Sequence, residues 1–317
     1  MGLSSDQIRH FETEGYVVVP DLIPDGILDQ VKAEYADLLN GLYEGWFTDG
    51  LVQTPGENLD FWGKLLSAYQ AGCDYFQPMD ISLPGDRIME NTPFHIGPAV
   101  FDMLTATPLL DAVEQLIGSE LTSNPIQHVR LKPPASKLDR AEVRAHITAT
   151  DWHQDRAVAL EDADQTDMVT AWLAITDATL ENGCLQVQPQ SSGQTILPHC
   201  ARLQTGIADG FVDEAKALPL PVKAGGAILF HPLTPHASLT NITNGFRWSF
   251  DVRFNATGQP TGRSHFPDFV ARSRAYPETE LRDWQACKVQ WKMARARLAQ
   301  IPHVNIHRWS SDAPYCA

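Results

Sequence analysis

Gly225-Gly226-Ala227-Ile228-Leu229-Phe230-His231-Pro232-Leu233-Thr234-Pro235-His236-Ala237-Ser238 is the stretch on which the reading of this chain turns. The two glycines read as a hairpin turn, and Ala227–Phe230 as a short buried strand. Two prolines then bracket a loop that delivers His236 to the start of the next run, Ala237–Asn241. Working outward, Arg247–Phe254 reads as a further strand on the C-terminal side. On the N-terminal side the same texture of short apolar or alternating runs gives Ile126–Leu131, Ala145–Trp152, Met168–Thr176, Cys184–Val187 and Leu218–Val222. Roughly eight short strands punctuated by Gly, Pro and Asn suggest a β-sandwich or jelly roll, not alternating βα units.

Further out the periodicity changes. Ser4 or Ser5 caps a short helix that ends near Gly15, and the β-branched burst Tyr16–Val19 follows. Ile27, Leu28, Val31, Tyr35, Leu38 and Leu39 stand at helical spacing over 25–40, and helical turns recur at 102–104 and 108–117. A helix is expected over Glu278–Gln300, ended by Pro302. With no repeat, low-complexity tract or linker, residues 1–317 read as a single domain: a helix-rich N-terminal region over 1–120, a β core over about 121–255, and a helical tail over 256–317.

Composition narrows the function class. The 24 Lys+Arg against 39 Asp+Glu give a formal charge of −15, which disfavours nucleic acid and anionic membrane surfaces as partners. No run approaches the length of a membrane span. The N-terminus carries neither a basic n-region nor an apolar h-region, so a cytoplasmic location is expected. Five scattered cysteines (73, 184, 200, 287 and 316), with no CxxC, read as reduced thiols. Oligomeric state is not legible.

Chemistry concentrates in two places. In Asp151-Trp152-His153-Gln154-Asp155, an extended strand would point His153 and Asp155 to one side. His236 supplies a second imidazole. Two histidines and a carboxylate with open coordination positions make the facial triad of non-haem Fe(II) oxygenases. Arg247 lies eleven residues after His236 and can hold a carboxylate through two parallel hydrogen bonds. Ser238, two after His236, shares its face and can donate to the same carboxylate.

These residues resemble the phytanoyl-CoA dioxygenase-like Fe(II)/2-oxoglutarate oxygenases. The likeness runs through Phe11–Pro20, Trp152-His153-Gln154-Asp155, Thr170–Thr179 with Glu181–Leu185, and Phe230 through Arg247. It implies a fold that is mainly β with surrounding helices, on a double-stranded β-helix (jelly roll, cupin-like) core. It implies His153, Asp155 and His236 as iron ligands, and Arg247 and Ser238 as partners of the distal carboxylate of 2-oxoglutarate. It places Trp172 beside that co-substrate, and Gln127 on a strand that lends a polar group to the site. Related halogenases carry a small residue in place of the carboxylate, so Asp155 marks a hydroxylase-type site. The activity implied is an Fe(II)-, 2-oxoglutarate- and O2-dependent dioxygenase oxidising a C–H of a small-molecule substrate, releasing succinate and CO2. Desaturation, epimerisation or cyclisation by the same iron site, and a non-catalytic metal- or carboxylate-binding module, stand as alternatives.

Other residues receive plainer readings. His231 is a rival ligand but reads as capping the turn before Pro232. Trp152 reads as core, and Arg253 as a surface or structural ion pair at the far end of its strand. The basic stretch Arg130, Lys132, Lys137, Arg140 and Arg144 reads as a solvated loop, with a lid for an anionic substrate as the sharper alternative. Lys288, Lys292, Arg295 and Arg297 read as a solvated helix face. There is no GxSxG, no phosphate loop and no GxGxxG.

Overall fold

The computed structural model describes residues 2–85, 87–135, 150–189, 195–201, 204–301, 304, 306 and 308–316. Most of the candidate strand Ala145–Trp152, and Lys137, Arg140 and Arg144 of the basic stretch, lie outside them.

The N-terminal third is helical for local reasons that the sequence carries. Helix α1 (Ser5–Glu14) opens on a capping box between Ser4 and Gln7 and closes at Gly15, whose φ of 78° lets the chain reverse into β1 (Tyr16–Val19). Helix α2 (Asp25–Thr48) buries Leu28, Val31, Tyr35, Leu39 and Tyr43 along one stripe. Helices α3 (Phe61–Gln70), α4 (Phe76–Met79), α5 (Pro98–Leu104) and α6 (Thr107–Ile117) follow. The last two each start on a proline in the first turn, where a missing N–H costs nothing.

Strands β2 (Glu120–Lys132), β3 (Met168–Ala174), β8 (Ala227–Phe230), β10 (Arg247–Ala256) and β11 (Phe269–Ser273) join β1 in a six-stranded sheet, in the order β1-β8-β3-β10-β2-β11. Every pairing in it is antiparallel. A second sheet runs β7 (Leu218–Leu220), β4 (Leu185–Val187), β9 (His236–Ser238), and β5 (His199–Ala201) pairs with β6 (Thr205–Ile207). The short helix α7 (Asp155–Val158) stands between β2 and β3 in the chain, and α8 (Trp284–Leu298) follows β11.

The large sheet is buried on both faces, and side-chain alternation shows how. On β3, Val169, Ala171 and Leu173 join the core shared with the helices, whereas Trp172 and Ala174 join a second core. That second core also takes Ile228 and Phe230 of β8 with Leu185, Val187 and Leu220 of the small sheet. Strand β10 divides more sharply. Trp248, Phe250, Val252 and Phe254 face the helices, where Trp248 stacks on Phe61 at 5.5 Å and Phe246 on Trp62 at 5.6 Å. The alternate residues Arg247, Ser249, Asp251 and Arg253 face away from those aromatics.

Several expectations need correction. Gly225-Gly226 is not a hairpin turn between paired strands. The turn, closed by Gly226 N–H to Lys223 O at 2.9 Å, carries the chain from β7 in one sheet to β8 in the other. The β core is not confined to 121–255, because β1 and β11 form the two edges of the large sheet. Strand β11 lies in the segment read as a helical tail, and α8 starts at Trp284, after a 3-10 turn at Pro277–Thr279. Two of the five cysteines are not thiols: Cys200 of β5 is disulfide-bonded to Cys316, while Cys73, Cys184 and Cys287 remain buried thiols. Their 116-residue separation hid that pairing from a reading by spacing. Arg295 is not simply solvated: it donates to Thr92 O at 2.9 Å and lies over the Phe94 ring. Among the described residues no helix is long and apolar enough to cross a membrane.

Candidate metal and carboxylate site

His153 and His236 meet through a reciprocal backbone bridge. Each N–H donates to the other residue's carbonyl at 3.0 Å, which sets the imidazole centroids 4.1 Å apart. The carboxylate arrives differently from the way strand alternation suggests. The chain turns into α7 at Asp155, so the carboxylate joins the histidines from the first position of a helix. Gln154, between the two, enforces the turn: its side chain accepts from Leu197 N–H and donates to Leu233 O and Thr195 O.

One ligand atom from each of His153, Asp155 and His236 lies within 4.8 Å of the others. Asp155 Oδ1 is 3.7 Å from His153 Nε2 and 3.9 Å from His236 Nε2. The tautomers follow from chemistry. His153 Nδ1 faces Asp151 O at 2.8 Å and His236 Nδ1 faces Thr234 O at 3.0 Å. A carbonyl only accepts, so both Nδ1 atoms carry a proton, and Nε2 is the nitrogen that each ring turns towards Asp155. Burial, then the neighbouring His236, pushes His153 down to about 3. Burial would raise Asp155, but Arg253 and the two imidazoles outweigh it and hold the carboxyl well below its usual range. Neutral imidazoles beside an ionised carboxylate are the state a divalent cation requires.

Asp155 is itself held from both sides. Arg253 donates to Oδ1 and Thr170 to Oδ2. Arg253 is therefore not a surface group: it is buried, and its other amino group donates to Ile126 O at 2.8 Å. The ion-pair half of its reading stands. The signal for its place was present, since Arg253 shares the parity of Arg247 on a strand whose other face is wholly apolar. Thr170, directly opposite Arg253 on β3, has no counterpart in the sequence reading.

Arg247 and Trp172 line the same cavity as the triad, with Ser238. The Arg247 guanidinium lies 5.1 Å over the Trp172 ring and donates to Ser249 Oγ at 2.7 Å. Its Nε is buried with no protein partner among the described residues. Burial pushes this arginine down to about 10. Ser238 Oγ accepts from Lys132 Nζ at 2.7 Å and from Thr150 N–H at 2.9 Å. Arg130 and Asp251, paired at 2.8 Å, line the cavity on its β2–β10 side. Gln127 does not join this group: its amide donates to Ile81 O at 3.2 Å, and it is not among the residues lining the cavity.

His231 caps its turn as expected, with Nδ1 accepting from Leu233 N–H at 3.2 Å. Trp152 is only half-buried and belongs to neither main core, because its segment leaves strand geometry just beyond it.

The profile of the phytanoyl-CoA dioxygenase (PhyH) family matches residues 11–249, most of the chain. The chain belongs to the phytanoyl-CoA dioxygenase family. It is similar to a probable phytanoyl-CoA dioxygenase of Caenorhabditis elegans, 25% identical over 264 residues, covering 80% of this chain and 75% of the relative. Its fold is similar to that of ThoJ, a non-heme monooxygenase, at 18% identity and a TM-score of 0.59, over 93% of this chain and 98% of the other. A second likeness is to SnoN, a non-heme alpha-ketoglutarate-dependent epimerase of nogalamycin biosynthesis. It stands at 20% identity and a TM-score of 0.50, over 81% of this chain and 85% of SnoN. Those two solved structures speak to the fold of this family member and not to its substrate.

Proposed function

We propose that this family member is a non-haem Fe(II)- and 2-oxoglutarate-dependent dioxygenase that hydroxylates an unactivated C–H of a small-molecule substrate, with release of succinate and CO2. The observation that carries the reading is the convergence in one cavity of a two-histidine, one-carboxylate cluster with a buried arginine whose Nε has no protein partner among the described residues. We read the two sheets that share the Trp172 core as a double-stranded β-helix, which presents both groups from its inner faces.

The donor set fits iron, with two imidazole Nε2 atoms, one carboxylate and coordination positions left over for a chelating keto acid and O2. His153, Asp155 and His236 would hold the metal. Bound there, iron and the keto acid supply the oxidising chemistry. The protein's own contribution is placement. Arg253 and Thr170 keep Asp155 ionised and oriented, and the carbonyls of Asp151 and Thr234 fix the imidazoles. Arg247 and Ser238 would grip the far carboxylate of 2-oxoglutarate, over the Trp172 ring. The cavity's apolar walls, Phe230 and Leu185, keep water from the reacting face. An Asp at 155 supplies the carboxylate ligand of a hydroxylating site.

The test is aerobic incubation of the full chain with Fe(II), 2-oxoglutarate and a panel of small molecules, read as succinate formed in step with substrate loss. His153→Ala and Asp155→Ala should each abolish turnover, and Arg247→Ala should chiefly raise the 2-oxoglutarate requirement. Full turnover in either ligand variant overturns the assignment.

A further inference from the structure

Lys132 ends β2 directly opposite Arg247 of β10, so the two cations occupy paired positions on one face of the sheet. It is 4% exposed, and its ammonium donates to Ser238 Oγ at 2.7 Å and to Leu239 O at 2.5 Å. Gly183 leaves the room for this. A Cβ there, at a φ of +89°, would sit 3.0 Å from Lys132 Cδ, 3.2 Å from Nζ and 2.5 Å from Leu239 O.

Two consequences follow from elementary chemistry. A serine hydroxyl has two lone pairs and one proton. Lys132 and the Thr150 N–H occupy both lone pairs of Ser238, so its proton is the one function left, and Ser238 lines the cavity. Charge is the second. Among the described residues neither Lys132 nor Arg247 has a carboxylate within ion-pair distance, and Asp251, whose charge reaches Arg247, is committed to Arg130. Two buried cations side by side without a counter-anion are costly unless a ligand supplies the negative charge.

We propose that Lys132 is a positioning residue for the keto acid: it fixes Ser238 as a pure donor and doubles the positive charge at Arg247, so that the pocket demands a second carboxylate on the ligand. This rests on the 2-oxoglutarate reading above and deepens it. Protonation adds support. Burial first, then the charges of Arg247 on β10 and Arg130 on β2, push the Lys132 ammonium down to about 6, with Cys184 beside β4 opposing. The lowered ammonium gives up its proton more readily in the ligand-free protein, and an arriving dicarboxylate favours its return. Binding therefore takes up a proton.

The experiment is anaerobic calorimetric titration of the Mn(II)-loaded full chain with 2-oxoglutarate and with 2-oxopentanoate, which keeps the keto acid but ends in a methyl group. It is run at pH 8 in two buffers of different ionisation enthalpy. Lys132→Met should reduce the preference for 2-oxoglutarate by about tenfold or more, leave 2-oxopentanoate binding nearly unchanged, and abolish the proton uptake seen in the parent. An unchanged preference, equal weakening of both keto acids, or parent binding without proton uptake overturns the proposal. Where Lys132→Met fails to fold, Lys132→Gln, which keeps an N–H donor but no charge, carries the test: a reduced preference with lost proton uptake supports the proposal, and an unchanged preference overturns it. A parent protein that shows no preference for the dicarboxylate sinks the 2-oxoglutarate reading itself.

Discussion

At the scale of single residues, Asp155 shows how a buried charge is made tolerable before any metal arrives. Its carboxylate is enclosed, yet Arg253 and Thr170 each take one oxygen. A buried ion pair that loses one partner leaves an uncompensated charge, typically at a cost of about 3–5 kcal/mol. Arg253→Met should therefore destabilise the metal-free protein by about that amount. A divalent cation bound by the triad would replace the missing positive charge, so Mn(II) should raise the melting temperature of Arg253→Met more than that of the parent. Equal metal-induced shifts would show that Arg253 supports the sheet and not the carboxylate. Thermal melts with and without Mn(II), in excess over EDTA, decide the matter. The proposed site residues were legible because type and order restrict them: an HxD, then a histidine, then an arginine eleven later. Their partners Thr170 and Lys132 were not, because a threonine in a buried strand or a lysine at a strand end has dozens of ordinary uses. Only pairing across strands shows what such a residue touches.

At the scale of elements, strand existence was legible and strand company was not. Met168–Ala174, Leu185–Val187, Ala227–Phe230 and Arg247–Ala256 lie where apolar runs between turn residues placed them. The three-residue strands β5 and β6 and the edge strand β11 escaped, since short mixed runs such as His199-Cys200-Ala201 carry no period. Yet β5 matters to the site. His199 Nδ1 donates to Leu197 O at 2.7 Å, and its Nε2 accepts from the N–H of Gln154, between two of the proposed ligands. His231 likewise accepts a backbone N–H, that of Leu233. Both rings must be neutral to do so, and burial pushes both down to about 4 from an ordinary 6.5. The unfolded chain then binds more protons than the folded one as pH falls from 6.5 towards 4, so stability is full above 6.5 and drains away through that window. The slope should approach about 1.4 kcal/mol per pH unit for each histidine. Urea midpoints between pH 7.5 and pH 4.5, roughly the range where these histidines titrate, should fall accordingly. His199→Asn, which keeps an acceptor that does not titrate in this range, should flatten the profile; an unaltered profile would exclude His199 as a source.

At the scale of the molecule, the charge of −15 says nothing about the interior of the site, where Arg247 and Arg253 line a cavity that also takes Asp155, and Lys132 is buried behind it against Ser238. Net charge is a sum over the whole chain, and the local balance inside a buried site is set independently of it. The chain's end matters to the same region. Trp309 donates to Ala157 O of α7 at 2.8 Å, its ring lies 5.1 Å from that of His199, and Arg308 pairs with Asp164 at 2.6 Å. The Cys200–Cys316 disulfide fastens this segment to β5. The last residues thus strap α7, whose first residue is Asp155, against the hairpin that orients Gln154. No sequence signal announced the strap, because partners 116 residues apart have no local pattern. Closing so long a loop restricts the unfolded chain, and Cys316→Ser should lower the free energy of unfolding by about 2–4 kcal/mol, with a matching loss when the parent is reduced. Urea denaturation of the parent with and without dithiothreitol, beside the variant, measures it. If the variant and the reduced parent both keep the parent's midpoint, the tail is held by Trp309 and Arg308 alone. If the midpoints fall together, the disulfide is what keeps the last residues against the helix that begins with the proposed carboxylate ligand.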